Sequence, residues 1–221
     1  MLSRRILMVH LTNPINLNIN IPSFDEKITS HSGGGWPLKA DTVENWAWTQ
    51  SIFNNVELDA IINIGNSLEL ERASTFGPQD LKIRDSFVHF IFPNQITSWI
   101  FERLAGAINV VNDQFFKFDL YSMEQGLQFT RYQEPGQHYQ WHIDRGMNSG
   151  TRKLSLSMQL SDPSEYEGGD LELWFGGEPV VATRERGYTA YFPSYVMHRV
   201  TPVTKGTRYS LVCWISGPPF K

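Results

Sequence analysis

Residues 152–160 read Arg-Lys-Leu-Ser-Leu-Ser-Met-Gln-Leu, and the alternation in this stretch decides what kind of sheet the chain builds. Leu154, Leu156, Met158 and Leu160 recur with period two against Ser155, Ser157 and Gln159. That is the pattern of a strand whose two faces meet different surroundings. The leucine face packs on an apolar core. On a solvated sheet the other face would carry long charged side chains, whereas serines and a glutamine suit the inside of a barrel that holds a small polar ligand.

Just upstream, residues 132–144 read YQEPGQHYQWHID. His142 and Asp144 stand two positions apart, so a strand here would aim an imidazole and a carboxylate at one point. One more histidine would complete the 2-His-1-carboxylate face that holds non-haem Fe(II) with open positions. His198 is the candidate, just beyond a strand expected at Tyr188–Phe192 that ends at Pro193. A last strand, expected from about Arg208 to Ile215, puts Arg208 and Ser210 on one face. A 2-oxo acid that chelates iron through its carboxylate and keto oxygen needs a cation for its far carboxylate. An arginine fork grips a carboxylate in a bidentate way, and the Ser210 hydroxyl can add a hydrogen bond.

The rest of the chain reads as support. Val56, Leu58, Ile61, Ile62, Ile64 and Leu68 recur near helical spacing from Phe53 onward, after the capping residues Asn54 and Asn55. A second helix is expected from Asn94 to about Asn112, with Ile96, Ile100, Leu104, Ile108 and Val111 on one face. Between them IRDSFVHFIFP reads as one strand, and His89 within it as structural. Residues 12–50 hold a half-buried strand pattern at Ile15, Leu17, Ile19 and Ile21 and a flexible connector at His31–Gly35, with a lid as the other reading. The fold class expected is mainly β with flanking helices (α+β). A single domain, 1–221, is expected, with 1–114 as strand and helix support and 115–221 as the core.

Composition narrows the function. No apolar run approaches the roughly 18 residues of a membrane span. A net charge of −4 argues against a nucleic-acid partner held through phosphates. The lone Cys213 excludes an internal disulfide and fits a reducing compartment, and its apolar flanks describe a buried, inert thiol. Residues 1–11 have two arginines and a short apolar run broken by His10, without a cleavage pattern, and read as mature chain of a cytoplasmic protein.

Three pieces together, Tyr132-x6-Tyr139-x2-His142-x-Asp144, then RKLSLSMQLSDPSEYEGGDLEL, then RG followed by FPSYVMHRVTPVTKGTRYSLVCW, resemble the Fe(II)- and 2-oxoglutarate-dependent dioxygenases. Within them the chain is similar to the prolyl 4-hydroxylase-like branch, over roughly residues 118–217. The resemblance implies a double-stranded β-helix, or jelly roll, with iron at its open mouth. It implies His142, Asp144 and His198 as ligands, Arg208 as the 2-oxoglutarate clamp, and Tyr132 and Trp214 as pocket walls. Gln159 is a further candidate for cosubstrate contact. Collagen-type prolyl hydroxylases carry lysine where this chain has Arg208, which is similar to the oxygen-sensing, bacterial and phage members. In related halogenases a small residue replaces the carboxylate, so Asp144 points to hydroxylation.

The cofactors implied are Fe(II), 2-oxoglutarate and O2, with ascorbate as an optional addition. The substrate implied is a prolyl residue in a peptide or protein. Trp141, Tyr166 and Trp174 offer an aromatic groove for a polyproline-like segment, or equally core. Other readings stay open: hydroxylation of a free amino acid or other small molecule, a cupin-like metalloenzyme without a 2-oxo acid, and a non-catalytic jelly roll that binds metal or sugar. A nucleic-acid demethylase is disfavoured, because that branch has a second arginine where this chain has Trp214.

Overall fold

The computed structural model describes residues 43–73, 80–146 and 149–219. The strand and connector expected before residue 43 lie outside these residues.

In chain order the elements are β1 (Ala47–Thr49), α1 (Asn55–Ser67), β2 (Glu71–Arg72), β3 (Arg84–Asp85), β4 (Phe87–Ile91) and α2 (Ser98–Val111). Strands then follow as β5 (Leu127–Gln133), β6 (His138–His142), β7 (Arg152–Gln159), β8 (Tyr166–Gly168), β9 (Leu171–Trp174), β10 (Val180–Val181), β11 (Thr189–Pro193), β12 (Met197–Val200) and β13 (Val203–Ser216). They form two antiparallel sheets. The larger runs β1-β11-β7-β13-β5-β4-β2, with β8 also paired to β13, and the smaller runs β10-β9-β12-β6-β3. This is the expected jelly roll.

Both helices lie on the outer face of the larger sheet. Helix α1 starts in a capping box: Asn54 Oδ1 accepts from the Glu57 N–H at 2.9 Å, and Glu57 Oε2 accepts from the Asn54 N–H at 2.8 Å. Its Leu58 and Ile61 join Ile100, Leu104, Ile108 and Val111 of α2 in one core with Leu154, Leu156 and Met158 of β7 and Leu211, Cys213 and Ile215 of β13. Each such aliphatic side chain contributes about 1.5–3 kcal/mol on burial. The leucine face of residues 152–160 thus meets helices, and the serine face looks into the jelly roll.

The structure departs from the sequence reading at several points. Val56 and Ile96, counted as buried helix positions, are 77% and 70% exposed. Helix α2 begins at Ser98, because the Asn94 side chain accepts from the N–H groups of Ile96 and Thr97 and closes a separate turn first. The segment read as a single strand, IRDSFVHFIFP, is broken at the buried Ser86. Its first half, β3, pairs with β6 of the smaller sheet, and its second half, β4, pairs with β5 of the larger. One short segment therefore crosses between the sheets at the mouth of the roll.

Helix α1 approaches β5 closely at Gly65, where an added Cβ would lie 2.4 Å from Phe129 Cγ. Alanine gains about 1 kcal/mol of helix propensity over glycine, but overpacking a buried ring costs about 1–3 kcal/mol. Gly65→Ala is expected to lower stability in urea unfolding; a rise would show that Phe129 can yield. Burial pushes the Cys213 thiol up to about 12. A thiol reagent is expected to label Cys213 only as the protein unfolds.

Candidate metal centre and cosubstrate pocket

Antiparallel pairing of β6 with β12 makes His142 and His198 direct register partners. Their inward side chains lie side by side, with ring centroids 4.1 Å apart. Asp144 is not on the strand, as the sequence reading had it, but two residues past the end of β6. It reaches the site because its N–H donates to the Ser194 carbonyl at 3.0 Å, while its own carbonyl accepts from Ser149 Oγ at 2.8 Å and Arg152 Nη1 at 3.1 Å. His142 Nε2 is then 3.8 Å from Asp144 Oδ1, and His198 Nε2 is 3.5 Å from Oδ2. One ligand atom from each residue lies within 4.8 Å of the other two, a spacing that can hold a metal ion.

The surrounding bonds prepare these atoms for a cation. His142 Nδ1 is 2.7 Å from the Gln140 carbonyl and His198 Nδ1 is 3.0 Å from that of Val196. A carbonyl only accepts, so each Nδ1 carries the proton and each Nε2 presents its lone pair inward. Burial, then repulsion from His198, pushes His142 down to about 3, so its imidazole is neutral. Burial alone would raise Asp144. The facing His198 and His142 rings and the hydrogen bond from Ser155 outweigh it and hold the carboxyl below the usual carboxylate range. The Ser155 bond, Oγ to Oδ2, is 2.7 Å. Two imidazole nitrogens and one carboxylate, open on the cavity side, suit Fe(II).

Deeper in the roll, Arg208 on β13 is 0% exposed. Its Nε and Nη2 donate to Gln159 Oε1 at 3.2 and 2.9 Å, and its Nη1 is buried with no partner among the described residues. Tyr132, its register partner on β5, lies beneath it with the ring centroid 5.5 Å from the guanidinium carbon. Ser210 and Trp214 follow Arg208 on the same face of β13, and with Tyr132 they line a small space that extends to His142, Asp144 and His198. A buried guanidinium without a carboxylate is costly. An anionic group in this space would complete its bonding, so the socket fits the distal carboxylate of 2-oxoglutarate.

The structure therefore brings together every site residue named from the sequence: His142, Asp144, His198, Arg208, Tyr132, Ser210, Trp214 and Gln159. The aromatic groove is corrected. Trp141 alternates with His142 and so faces outward, with the Arg199 guanidinium 4.6 Å from its ring centroid. Trp174 lies on the same outer face, and Tyr166 is buried beneath Arg184. None of the three lines a cavity at the triad. His138, on the opposite face of β6 from Tyr139, has its ring nitrogens 2.8 and 3.1 Å from the Gly136 and Lys82 carbonyls.

Sequence reasoning missed the opening itself, a cavity of about 750 Å³ beside the triad. Arg84 and Arg152 stand on its wall with His142, Asp144 and Trp214. Arg152 was legible as the first residue of the alternating strand. Arg84 had no such signal, because only the sheet crossing at Ser86 carries it there.

A buried His-Asp-His cluster beside a guanidinium without a carboxylate partner among the described residues, inside an antiparallel jelly roll, suits a non-haem iron ion and an anionic cosubstrate. The sequence pattern of the 2OG-Fe(II) oxygenase superfamily matches residues 127–216. A PKHD-type hydroxylase of Synechococcus sp. (strain CC9605) is 43% identical over 82 residues, 36% of this chain and 37% of that protein. A PKHD-type hydroxylase of Prochlorococcus marinus is 35% identical over 112 residues, 48% of each. The matches thus span about a third to a half of the length of these relatives. Among solved structures, a Pseudomonas putida prolyl-4-hydroxylase superposes with a TM-score of 0.65 at 21% identity, over 78% of this chain and 92% of that one. A Trichoplax adhaerens prolyl hydroxylase, in complex with a hypoxia inducible factor oxygen degradation domain peptide fragment, gives a TM-score of 0.67 at 15% identity, over 78% and 84%. Residues 127–216 thus resemble the 2OG-Fe(II) oxygenases in sequence, and the fold is similar to that of prolyl 4-hydroxylases.

Because Ser155 holds Asp144 Oδ2, Ser155→Ala is expected to weaken metal affinity roughly 10- to 100-fold without unfolding the protein. Anaerobic Fe(II) titration measures it, and unchanged affinity would mean that the anchors at Ser194, Ser149 and Arg152 position the carboxylate without Ser155.

Proposed function

We propose that the protein is an Fe(II)- and 2-oxoglutarate-dependent dioxygenase that hydroxylates a side chain, with a prolyl residue in a peptide or protein as the substrate. The observation that carries this reading is the buried Arg208, whose unpartnered Nη1 faces the same small space as the His142–Asp144–His198 cluster. A jelly roll that only bound metal or sugar would have no use for it.

In this reading His142, Asp144 and His198 hold the metal, and Arg208 with Ser210 grips the distal carboxylate of 2-oxoglutarate. Gln159 orients the Arg208 fork, while Tyr132 and Trp214 bound the socket. Fe(II), when bound, supplies activation of O2 coupled to oxidative decarboxylation, so that substrate, O2 and 2-oxoglutarate give hydroxylated substrate, succinate and CO2. The protein orients the reactants and excludes water. Tyr139 stacks on the His142 ring at 3.5 Å between centroids and restrains its rotation.

The prolyl assignment is supported by the prolyl hydroxylase fold neighbours, one of them holding a peptide. Hydroxylation of a free amino acid is the second reading, favoured by Arg84 and Arg152 on the wall of the cavity beside the triad, where they could meet an α-carboxylate. We take residues 1–221 as one domain, with 1–114 supporting the 115–221 core. We assign it to the cytoplasm on the single buried Cys213.

Mixing the protein anaerobically with Fe(II) and 2-oxoglutarate is expected to produce the weak visible charge-transfer band of the chelate. His142→Ala is expected to abolish it. Arg208→Ala removes a buried charge-assisted contact worth about 3 kcal/mol and should raise the 2-oxoglutarate concentration needed on the order of 100-fold. No band in wild type, or a band indifferent to both substitutions, overturns the reading. Mass spectrometry of proline-rich peptides and free amino acids for gain of one oxygen atom separates the two substrate readings.

A further inference from the structure

The wall of the cavity beside the triad carries Arg84 and Arg152, and neither guanidinium has a carboxylate within 4.0 Å among the described residues. Arg84, on β3, faces Tyr139 of β6 in register and is only 8% exposed. Its guanidinium carbon lies 4.4 Å from the Tyr139 ring centroid, and Tyr139 in turn stacks on His142. An unbroken stack therefore joins Arg84 to a proposed metal ligand. Its side chain makes one hydrogen bond among the described residues, Nε to Ser86 Oγ at 3.1 Å, which leaves the two Nη nitrogens of the fork without a protein acceptor. No carboxylate of the described residues is within 4.0 Å of it. The adjacent Asp85 is taken by Arg72 at 2.9 Å.

Arg152 adds a second charge on the same cavity. Its Nη1 donates to the Asp144 carbonyl, its Nη2 to Gln125 Oε1, and its guanidinium lies 3.8 Å from the Trp214 ring centroid. None of these partners is an anion, and Nε is buried without a partner among the described residues. Glu71 lines the cavity from the exposed β2. Asp144, the other acidic group of the wall, would have its charge offset by the metal. Two largely desolvated cations are thus left unbalanced, a costly arrangement unless an anion arrives. The rest of the wall has an apolar part, Ile83, Phe90, Phe92 and Ile143, alongside Arg72, His89 and Gln128.

We propose that the substrate presents a carboxylate to Arg84, with its aliphatic part lying against the apolar wall beside the triad. Arg84 supplies the fork that accepts the carboxylate, and Arg152 raises the positive potential. The inference rests on the oxygenase reading and names the substrate class of that same site. The carboxylate is either the α-carboxylate of a free amino acid or an acidic side chain of a peptide.

The test uses the Fe(II)- and 2-oxoglutarate-loaded protein and two probe sets. One is end-capped proline peptides carrying Asp or Glu beside the proline, each matched to its Asn or Gln counterpart. The other is L-proline matched to L-prolinamide. Succinate release and gain of one oxygen atom are read for each pair. The acidic member of at least one pair is expected to be favoured about tenfold or more, and the pair that responds identifies the source of the carboxylate. Arg84→Gln is expected to erase that preference while the charge-transfer titration with 2-oxoglutarate stays within about twofold of wild type, which also reports that the variant is folded. Arg84→Lys, which keeps the charge, should retain part of the preference.

Equal use of acidic and neutral probes, or no response to any acidic probe, overturns the proposal. So does a preference that survives Arg84→Gln, or a loss confined to 2-oxoglutarate binding. A wild type that forms no chelate would instead remove the oxygenase reading. Calorimetric binding of the same probes to metal-free protein then decides the role of Arg84: weaker acidic-probe binding in Arg84→Gln supports it, and equal binding overturns it.

Discussion

The larger sheet has to be apolar on one side and polar on the other, and most of the architecture follows from that constraint. Strands β7 and β13 lie side by side at its centre and alternate in step: Leu154, Leu156 and Met158 with Leu211, Cys213 and Ile215 face the helices. Ser155, Ser157 and Gln159 with Arg208, Ser210 and Trp214 face the inside of the roll. Hydrophobic stabilisation is therefore gathered between sheet and helices, and the interior is left free for chemistry. A roll filled with leucine would fold as well and hold nothing.

A polar interior needs its charges balanced, and here the protein itself balances only some. The Asp144 carboxylate is held by Ser155 and faced by the two imidazoles. Arg208 has a glutamine oxygen where a carboxylate would be needed, and Arg84 and Arg152 have a serine, a carbonyl and an amide. Groups left short of partners in a buried site describe the ligands that complete it: a cation at the triad, a carboxylate at Arg208 and, by the same physical reasoning, an anion at Arg84. The two histidines are pre-set for their part, because backbone carbonyls fix both tautomers before any ion arrives.

Precision in the site comes from register and loop anchoring together. His142 and His198 are partners in a ladder, so backbone hydrogen bonds set their separation. Asp144 sits beyond the ladder, where the chain turns toward Ser149, and three side-chain and backbone bonds to Ser149, Arg152 and Ser194 replace the missing strand pairing. The carboxylate thus depends on β7 and on the segment between β11 and β12, which is why its environment spans four elements.

Much of this was legible in the chain. The alternation at residues 152–160 implied a two-faced strand with a polar interior, and the H-x-D pair, His198 and the Arg208–Ser210 face named the site, because these rest on local periodicity and donor chemistry. Even so, Asp144 was read as a strand residue, since spacing alone cannot tell a strand from the turn that follows it. Trp141 was left between substrate and core, and the structure turns it to the outer face against Arg199. Arg84 was invisible: its importance comes from a strand that changes sheets at Ser86 and lays a guanidinium over Tyr139, a contact between residues far apart in sequence. By itself the sequence determined the sheet type, the candidate donor atoms and the buried arginine beside them, which depend on residue identity and short-range pattern. Only the tertiary structure decided which cations share a cavity and which aromatics face away from it, because long-range strand pairing, and no local rule, sets the direction of each side chain.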